Sequence, residues 1–200
     1  SSFSPIDFKL GILLSLSIFF FILLSSERKQ SLILSYVYGI SIFVSGISWI
    51  YVSIYYYGGE NLTLSILITV SLIMFLSLLV IPIGLILNKS YKDRSFVTLM
   101  IVPSVWVALE LLRSIIFGGF PWLIVGHSQI GTLLDIIYPI AGSYFVSFLV
   151  VTISIGFVLF FKNKLCNSNL KNIVLLIVTF SFLYFYNPIS VSYTHLRAHE

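Results

Sequence analysis

Two ionisable residues stand inside an apolar stretch of this sequence, where a charge is costly. Glu110 and Arg113 lie three positions apart, so a helix would place them on one face and let them pair. Each charge costs ~2.5–3.5 kcal/mol at the centre of a membrane helix, which makes such residues candidates for function. The pair predicts one of two things: a structural ion pair that fixes its helix to its neighbours, or a site that holds a lipid headgroup or shapes an active-site floor.

A glycine- and aromatic-rich sequence follows this pair. Residues 118–122 read Gly-Gly-Phe-Pro-Trp, and glycine and proline end helices while aromatic rings favour the membrane interface. Residues 123–135 contain no Lys or Arg. We expect this segment either to re-enter the membrane from one side or to lie along its surface.

A similar pattern occurs earlier, at residues 45–59. Three of the four residues at 45–48 are Ser or Gly, and small side chains let a neighbouring helix approach closely. Trp49 and Tyr51 follow, and Gly58-Gly59 ends the run. The simplest interpretation of both patterns is helix packing combined with an aromatic belt at the membrane interface.

Other residue types predict little chemistry. His127 is isolated, and Cys166, the single cysteine, has no neighbouring base. The sequence contains no glycine-rich phosphate loop, HExxH or CxxC, so we expect no metal and no cofactor. His195 and His199 have helical metal-ligand spacing, but we interpret residues 188–200 as a non-native or disordered tail.

The composition predicts an all-α, polytopic membrane protein. Hydrophobic residues make up 58% of the chain and charged residues 9%, with a mean hydropathy of +1.07, whereas soluble domains carry about 25% charged residues. Lipid offers backbone groups no hydrogen-bond partners, so each long apolar block should be a helix. We predict one transmembrane domain over residues 1–187 with six spans, at 8–25, 31–57, 62–87, 96–117, 136–161 and 172–186.

Loop charges predict the orientation of these spans. The loops at 26–30, 88–95 and 162–171 carry two, three and three basic residues, whereas those at 58–61 and 118–135 carry none. By the positive-inside rule the basic loops face the cytoplasm and the others face the opposite side. The net charge of +4 is therefore a topology signal, and we expect no nucleic-acid partner.

These elements together resemble the membrane region of the bacterial apolipoprotein N-acyltransferases, over about residues 3–187. Phe3-Ser4-Pro5 resembles an early interhelical loop of that family. The earlier pattern is carried by Ser45, Gly46, Trp49, Tyr51, Val52, Ser53, Gly58 and Gly59. The later pattern is carried by Pro103, Trp106, Glu110, Arg113, Gly119, Phe120, Pro121, Trp122, Gly126 and Gln129.

The resemblance implies an enzyme of the cell inner membrane that works in lipoprotein biosynthesis. In this family a phospholipid donates an acyl chain to the N-terminal amino group of the diacylglyceryl-cysteine of an apolipoprotein. The chemistry lies in a periplasmic nitrilase-like domain with a Glu-Lys-Cys triad and a thioester intermediate. None of those residues can be assigned here, so we expect this chain alone to be inactive. It would supply a membrane platform and a lipid-access surface, with its outer loops on the periplasmic side.

Two other functions remain open from the sequence. Six helices also suit a solute-binding subunit of a membrane transporter, although such a protein needs polar groups from several helices and only the 96–117 block carries charges well inside it. A purely structural membrane subunit is the third possibility, and it would need no elements on the outer side.

Overall fold

The computed structural model describes residues 9–88, 95–116 and 119–162, and all of the regular structure in these ranges is helical. The predicted all-α class is therefore confirmed. The α-helices are α1 Lys9–Ser25, α2 Arg28–Ile47, α3 Ile50–Tyr57, α4 Leu62–Leu78, α5 Ile81–Asn88, α6 Ser95–Arg113 and α7 Tyr138–Phe161. Two 3-10 helices, Val125–Gln129 and Leu133–Ile137, precede α7.

Four segments of the described residues are long and apolar enough to cross a membrane: Arg28–Ile47, Leu62–Leu87, Phe96–Arg113 and Leu133–Phe161. The shorter α1 is also apolar, with 17 residues. These segments correspond to the first five predicted blocks. The sixth block, 172–186, lies outside the described residues, as do Phe3-Ser4-Pro5, Cys166 and the 188–200 tail.

Two of the predicted single helices are each broken in two. The 62–87 block breaks between α4 and α5, because Pro82 has no N–H for the Leu78 carbonyl and its ring would clash there. A tight turn replaces the regular pattern, with the Val80 N–H donating to Ser77 O at 3.1 Å. The 31–57 block breaks at residues 48–49, and α3 has no fully buried residue.

One face of the first helix packs into the core of the bundle. Leu16, Phe20 and Leu23 of α1 are fully buried, and Ile155 and Leu159 of α7 belong to the same core. The outward faces carry large apolar side chains instead, including Ile18 at 60% exposure. Exposed apolar surface on this scale fits a lipid environment better than water.

Side-chain contacts show which helix ends lie together. Lys162 Nζ, after α7, donates to Phe21 O at 3.2 Å and to Ser25, so α1 and α7 are parallel. Gly84 of α5 lies against Ser35 near the start of α2. The helix ends next to the three predicted basic loops therefore share one end of the bundle, which we call the basic end; residues 46–61 and 119–137 form the opposite, outer end.

Candidate functional site

Three buried side chains share one face of α6 near the outer end. Trp106, Glu110 and Arg113 are each less than 10% exposed, at spacings of four and three residues. The Trp106 Nε1–H donates to Glu110 Oε1 at 3.0 Å. The Arg113 guanidinium lies over the Phe43 ring of α2, 5.3 Å from its centroid. An acidic side chain, a basic side chain and two aromatic rings, one of them Phe43 of α2, thus lie together in an apolar interior.

These side chains hold an irregular piece of backbone, residues 123–126, which we call the crossing segment. The Val125 N–H donates to Glu110 Oε1 at 2.9 Å, and Arg113 Nη2 donates to Leu123 O at 3.2 Å. Non-helical backbone at membrane depth is tolerated only where its polar groups are satisfied inside the protein. Glu110 and Arg113 meet that requirement for the crossing segment.

Helix α7 satisfies the other side of the same segment. The Gly126 N–H donates to Ser147 Oγ at 2.7 Å, and the Tyr138 hydroxyl donates to Gly126 O. Val125 and Gly126 are buried. The segment after the glycine-rich sequence is therefore packed between α6 and α7; whether it re-enters the membrane or lies along its surface stays a prediction.

Glu110 and Arg113 attract each other electrostatically, but no hydrogen bond joins the two side chains in the part of the chain that the structure describes. Both bond the crossing segment. Backbone groups without helical partners compete for them because an unmet buried hydrogen bond costs about 1–3 kcal/mol. Ser147 is a further side-chain hydrogen-bond partner of Glu110, whereas Arg113 Nε is buried without a hydrogen-bond partner among the described residues.

The glycine-rich sequence turns the chain from α6 into the crossing segment. The Phe120 N–H donates to Arg113 O at 2.9 Å, which closes the end of α6. Gly119 has φ +89, and a Cβ at this position would lie 2.4 Å from Ser114 O. Only glycine fits this position without strain. Phe120 packs against Trp122 at 5.3 Å between ring centroids, with Pro121 and Trp122 exposed at the outer end.

The two sequence patterns meet at a single contact. A Cβ on Gly46 would lie 2.2 Å from Leu123 Cδ1, so the absence of a side chain at Gly46 makes room for Leu123. Leu123 itself has φ +59, which is unusual for a residue with a branched side chain. The Trp49 Nε1–H donates to Gly46 O at 3.1 Å. Residues 45–49 and 119–126 are therefore one structural unit.

The remaining predicted residues lie around this unit. Gln129 is fully buried, and its Nε2 donates to Lys9 O at 3.2 Å, which ties the segment to α1. Tyr51, Gly58 and Gly59 belong instead to the outer end. His127 is exposed, and partial burial lowers its pKa, so it is neutral at neutral pH. Across residues 9–88, 95–116 and 119–162 there is no group of three or more His, Cys, Asp or Glu side chains suited to a metal.

An apolar cleft lies beside the three α6 residues. Its empty volume of about 550 Å³ includes open space outside the cleft, and its walls come from α1, α2, α5, α6, the turn between α4 and α5, and the crossing segment. A second cleft of about 410 Å³ lies toward Phe120, and Arg113 lines both. The lining of the first cleft is almost entirely apolar, with Glu110 and Arg113 as its charged members.

Several residues of this site were not predicted from the sequence. Ser147 and Tyr138 are polar groups in an otherwise apolar block, and that contrast is a usable signal. Phe43 and Leu123 carry no signal at all, because an isolated Phe or Leu in an apolar chain is ordinary. Their importance comes only from the close approach of α2 to the crossing segment.

Comparison with known proteins identifies the family. A family model described as the apolipoprotein N-acyltransferase N-terminal domain matches residues 1–156. The chain is 37% identical over 147 residues to the apolipoprotein N-acyltransferase of Coxiella burnetii, covering 72% of this chain and 30% of that protein. It is 38% identical over 169 residues to the Wigglesworthia glossinidia brevipalpis protein of the same name, covering 82% and 33%.

A third relative matches a larger share of the chain. The Pasteurella multocida apolipoprotein N-acyltransferase is 30% identical over 180 residues, which cover 88% of this chain and 34% of that protein. The chain thus spans about a third of the length of the curated relatives it matches. The family model covers more than half of the chain, including the whole crossing segment. The chain belongs to the apolipoprotein N-acyltransferase family, in the region of its N-terminal domain.

Proposed function

We propose that this helical bundle is the membrane platform of an apolipoprotein N-acyltransferase. In the proposed reaction an acyl chain passes from a phospholipid to the N-terminal amino group of a lipoprotein's diacylglyceryl-cysteine. Both substrates are anchored in the membrane, so the enzyme must present them laterally and at a fixed height. A bundle with an ordered, aromatic-lined end and an apolar cleft suits that task.

The observation that carries this proposal is the unit formed by residues 45–49 and 119–126. It joins α2, α6 and α7 at one end of the bundle, and the hydrogen bonds of the Val125 and Gly126 N–H groups are buried. Such a rigid end can support a further domain and hold lipid chains beneath it. The exposed Trp49 and Trp122 suit the headgroup level of a bilayer.

The proposed location is the bacterial inner membrane, with the outer end facing the periplasm. The helix ends that flank the predicted basic loops lie together at the opposite end, which the positive-inside rule assigns to the cytoplasm. Cys166 falls in a predicted basic loop. We therefore assign no catalytic residue to residues 1–187 and place the thioester chemistry in the catalytic domain of the family.

A chimeric enzyme tests the platform directly. Residues 1–187 would replace the aligned region of the Coxiella burnetii relative, and the chimera would be expressed in cells depleted of their own N-acyltransferase. We expect growth to be restored and mass spectrometry to find triacylated lipoproteins. The matched control carries Leu67→Phe, an outward substitution at a side chain that is 59% exposed, and should behave like the parent chimera.

The contrary result is a chimera that reaches the membrane at normal levels and leaves the lipoproteins diacylated. That outcome would remove the platform proposal, since a family domain with the right function should support its own catalytic domain. The isolated 200-residue chain should show no transfer of labelled acyl groups in either case.

A further inference from the structure

Helices α1 and α7 run side by side in one fixed register. The Ser17 hydroxyl donates to Ser154 O at 3.5 Å, and Lys162 Nζ donates to Ser25 Oγ. Both contacts join positions that are 137 residues apart in the chain. Because the offset is the same at both points, heights measured along α1 and along α7 can be compared directly.

The described start of α1 does not reach the outer edge of a bilayer. Ser25 lies at the basic end, where Lys162 bonds it and the charged residues Glu27 and Arg28 follow. At 1.5 Å per residue, Lys9 lies about 24 Å from Ser25 along the helix. The hydrocarbon core of a bilayer is about 30 Å thick. With the basic end at one edge of that core, Lys9 lies about one helical turn below the opposite edge.

Residues 127–135, which we call the floor, lie at nearly the same height. Within the floor, Gln129 Nε2 donates to Lys9 O at 3.2 Å. Just before it, the Gly126 N–H donates to Ser147 Oγ at 2.7 Å, and Ser147 lies about 22 Å from the basic end of α7 along that helix. Contacts with two different helices therefore place the floor below the outer edge of the hydrocarbon core.

Ionisable side chains hold the floor at this depth. Lys9 Nζ donates to Ile130 O, and Asp135 Oδ2 accepts from the Gly131 N–H at 2.9 Å, so the two side chains bond the two sides of one peptide group. His127, also in the floor, is exposed. Charged groups are costly in hydrocarbon, and local thinning of the bilayer lowers that cost because headgroups and water then reach them.

The side chains that adjoin the floor suit acyl chains. Leu10 and Leu14 of α1 are 38% and 53% exposed, and Ile130 is 55% exposed. An exposed apolar wall with polar groups at its top has the same order as a phospholipid, in which acyl chains lie below a charged headgroup. Phospholipid therefore fits this part of the bundle better than water alone does.

We propose that the outer end is recessed at the floor, so that the adjacent leaflet is thinner there by about one helical turn and phospholipid headgroups rest on residues 127–135. The Lys9 ammonium would bind the phosphate group through a charge-assisted hydrogen bond. The inference rests on the proposed platform function for its purpose, since a recess brings the ester groups of a phospholipid donor down toward the crossing segment. Its geometry requires only a membrane bundle.

Fluorescence quenching measures the height of headgroups at a chosen side chain. The full 200-residue chain with Cys166→Ser would carry Leu10→Cys, labelled with bimane, in phosphatidylcholine nanodiscs. One set of nanodiscs contains lipid with a nitroxide on the headgroup, and the other contains lipid with a nitroxide in the lower half of an acyl chain. Nitroxides quench bimane on close approach, so the stronger quencher shows which part of the lipid lies beside the label.

Val70→Cys is the matched control, at about the same height on another face of the bundle. Tyr38 bonds Ser15 of α1, and the neighbouring Gly39 packs against Ser77 of α4, so Ser77 lies near the middle height of α1. Val70 is 48% exposed and lies about 10 Å closer to the outer end than Ser77. The same rise separates the first label from the middle of α1.

We expect the headgroup nitroxide to be the stronger quencher of the Leu10→Cys label and the chain nitroxide to be the stronger quencher of the Val70→Cys label. Lys9→Met removes the ammonium at the floor, and should shift the Leu10→Cys label toward quenching by the chain nitroxide. Lys162→Met removes a lysine that bonds a backbone carbonyl at the basic end, and should leave the balance unchanged.

Chain quenching at both labels would overturn the proposal, because the leaflet would then have its ordinary thickness at the floor. Headgroup quenching at both labels would also overturn it, since the whole bundle would be shallow and not recessed on one side. A Leu10→Cys label that aqueous iodide reaches and neither lipid quenches would mean a recess filled by water. Equal effects of Lys9→Met and Lys162→Met would contradict the role of Lys9.

The chimera test separates this inference from the platform function. An active chimera, together with chain quenching at Leu10→Cys, removes the recess alone. Headgroup quenching confined to Leu10→Cys, together with an inactive chimera, removes the platform alone.

Discussion

At the scale of single residues, Glu110 and Arg113 act on the backbone before they act on anything else. Each lies inside a membrane helix, where a charge is expensive, and each bonds a backbone group of the crossing segment. The sequence identified both residues and their shared helix face, because charges in an apolar block stand out. It did not predict their partners, since Leu123 and Val125 are ordinary apolar residues whose contribution is a carbonyl and an N–H.

Removal of the Glu110 carboxylate should therefore destabilise the bundle. Glu110→Ala leaves the Val125 N–H and the Trp106 indole N–H without their acceptor, and we expect a loss of about 1–3 kcal/mol in the free energy of unfolding. Titration with SDS, followed by circular dichroism, measures this loss. The control is Leu111→Ala, at an outward position on the same helix turn. Equal losses for the two variants would mean that Glu110 has no special role.

Gly119 gives a second residue-scale prediction, with Gly59 as its matched control. Both have positive φ, at +89 and +70, but only at Gly119 would a Cβ meet a neighbour, Ser114 O at 2.4 Å. We expect Gly119→Ala to cost about 2–3 kcal/mol and Gly59→Ala about 1 kcal/mol, the cost of the backbone conformation alone. The same SDS titration tests the order. A larger loss at Gly59 would contradict the described turn at the end of α6.

At the scale of elements, the sequence predicted which helices are present better than it predicted where they are interrupted. Apolar blocks long enough for a bilayer predicted α1, α2, α4, α6 and α7 closely, because lipid allows few alternatives to a helix. The same apolar blocks did not predict the breaks between α2 and α3 and between α4 and α5, although Pro82 is a visible cause of the second break. Gly142 likewise interrupts α7 just after its first turn, with φ +73. Hydropathy averages over such breaks, which depend on individual backbone groups.

The contact between α2 and the crossing segment depends on one pair of residues and can be tested as such. Gly46→Ala should destabilise the bundle by about 1–3 kcal/mol, because the new Cβ overlaps the Leu123 side chain. In a Leu123→Ala background the same substitution should cost much less, giving a coupling energy of about 1–2 kcal/mol. Unfolding free energies of the two single variants and the double variant measure the coupling.

A control glycine shows whether that coupling is specific. Gly39 faces the Ser77 backbone, with a virtual Cβ 3.0 Å from Ser77 Cα, far from Leu123 in the chain. Gly39→Ala should destabilise the bundle to the same extent with or without Leu123→Ala. If the losses of stability caused by Gly46→Ala and Leu123→Ala were also additive, residues 45–49 and 119–126 would not form one unit.

At the scale of the whole molecule, charge and contacts point to the same division of the bundle. The sequence placed Lys and Arg in alternate loops, and the structure brings the ends of α1 and α7 together, with Lys162 bonded across them. At the opposite end, Gln129 bonds the Lys9 carbonyl at the start of α1. The alternating directions of the helices are thus consistent with a bundle that has two distinct ends. Its sidedness in the cell remains a prediction, because contacts within the chain do not refer to a membrane.

That sidedness can be measured by cysteine labelling in intact Gram-negative cells. Cys166→Ser removes the only cysteine of the chain, after which Tyr57→Cys and Trp122→Cys report on the outer end and Glu27→Cys on the basic end. Tyr57 is 89% exposed and Trp122 is 49% exposed, so both positions are reachable. A maleimide that enters the periplasm but cannot cross the inner membrane should label the Tyr57→Cys and Trp122→Cys variants at once and the Glu27→Cys variant only after lysis. Labelling of the Glu27→Cys variant in intact cells, with protection of the other two, would invert the bundle and place the crossing segment on the cytoplasmic side, where a periplasmic acyl-transfer domain could not use it.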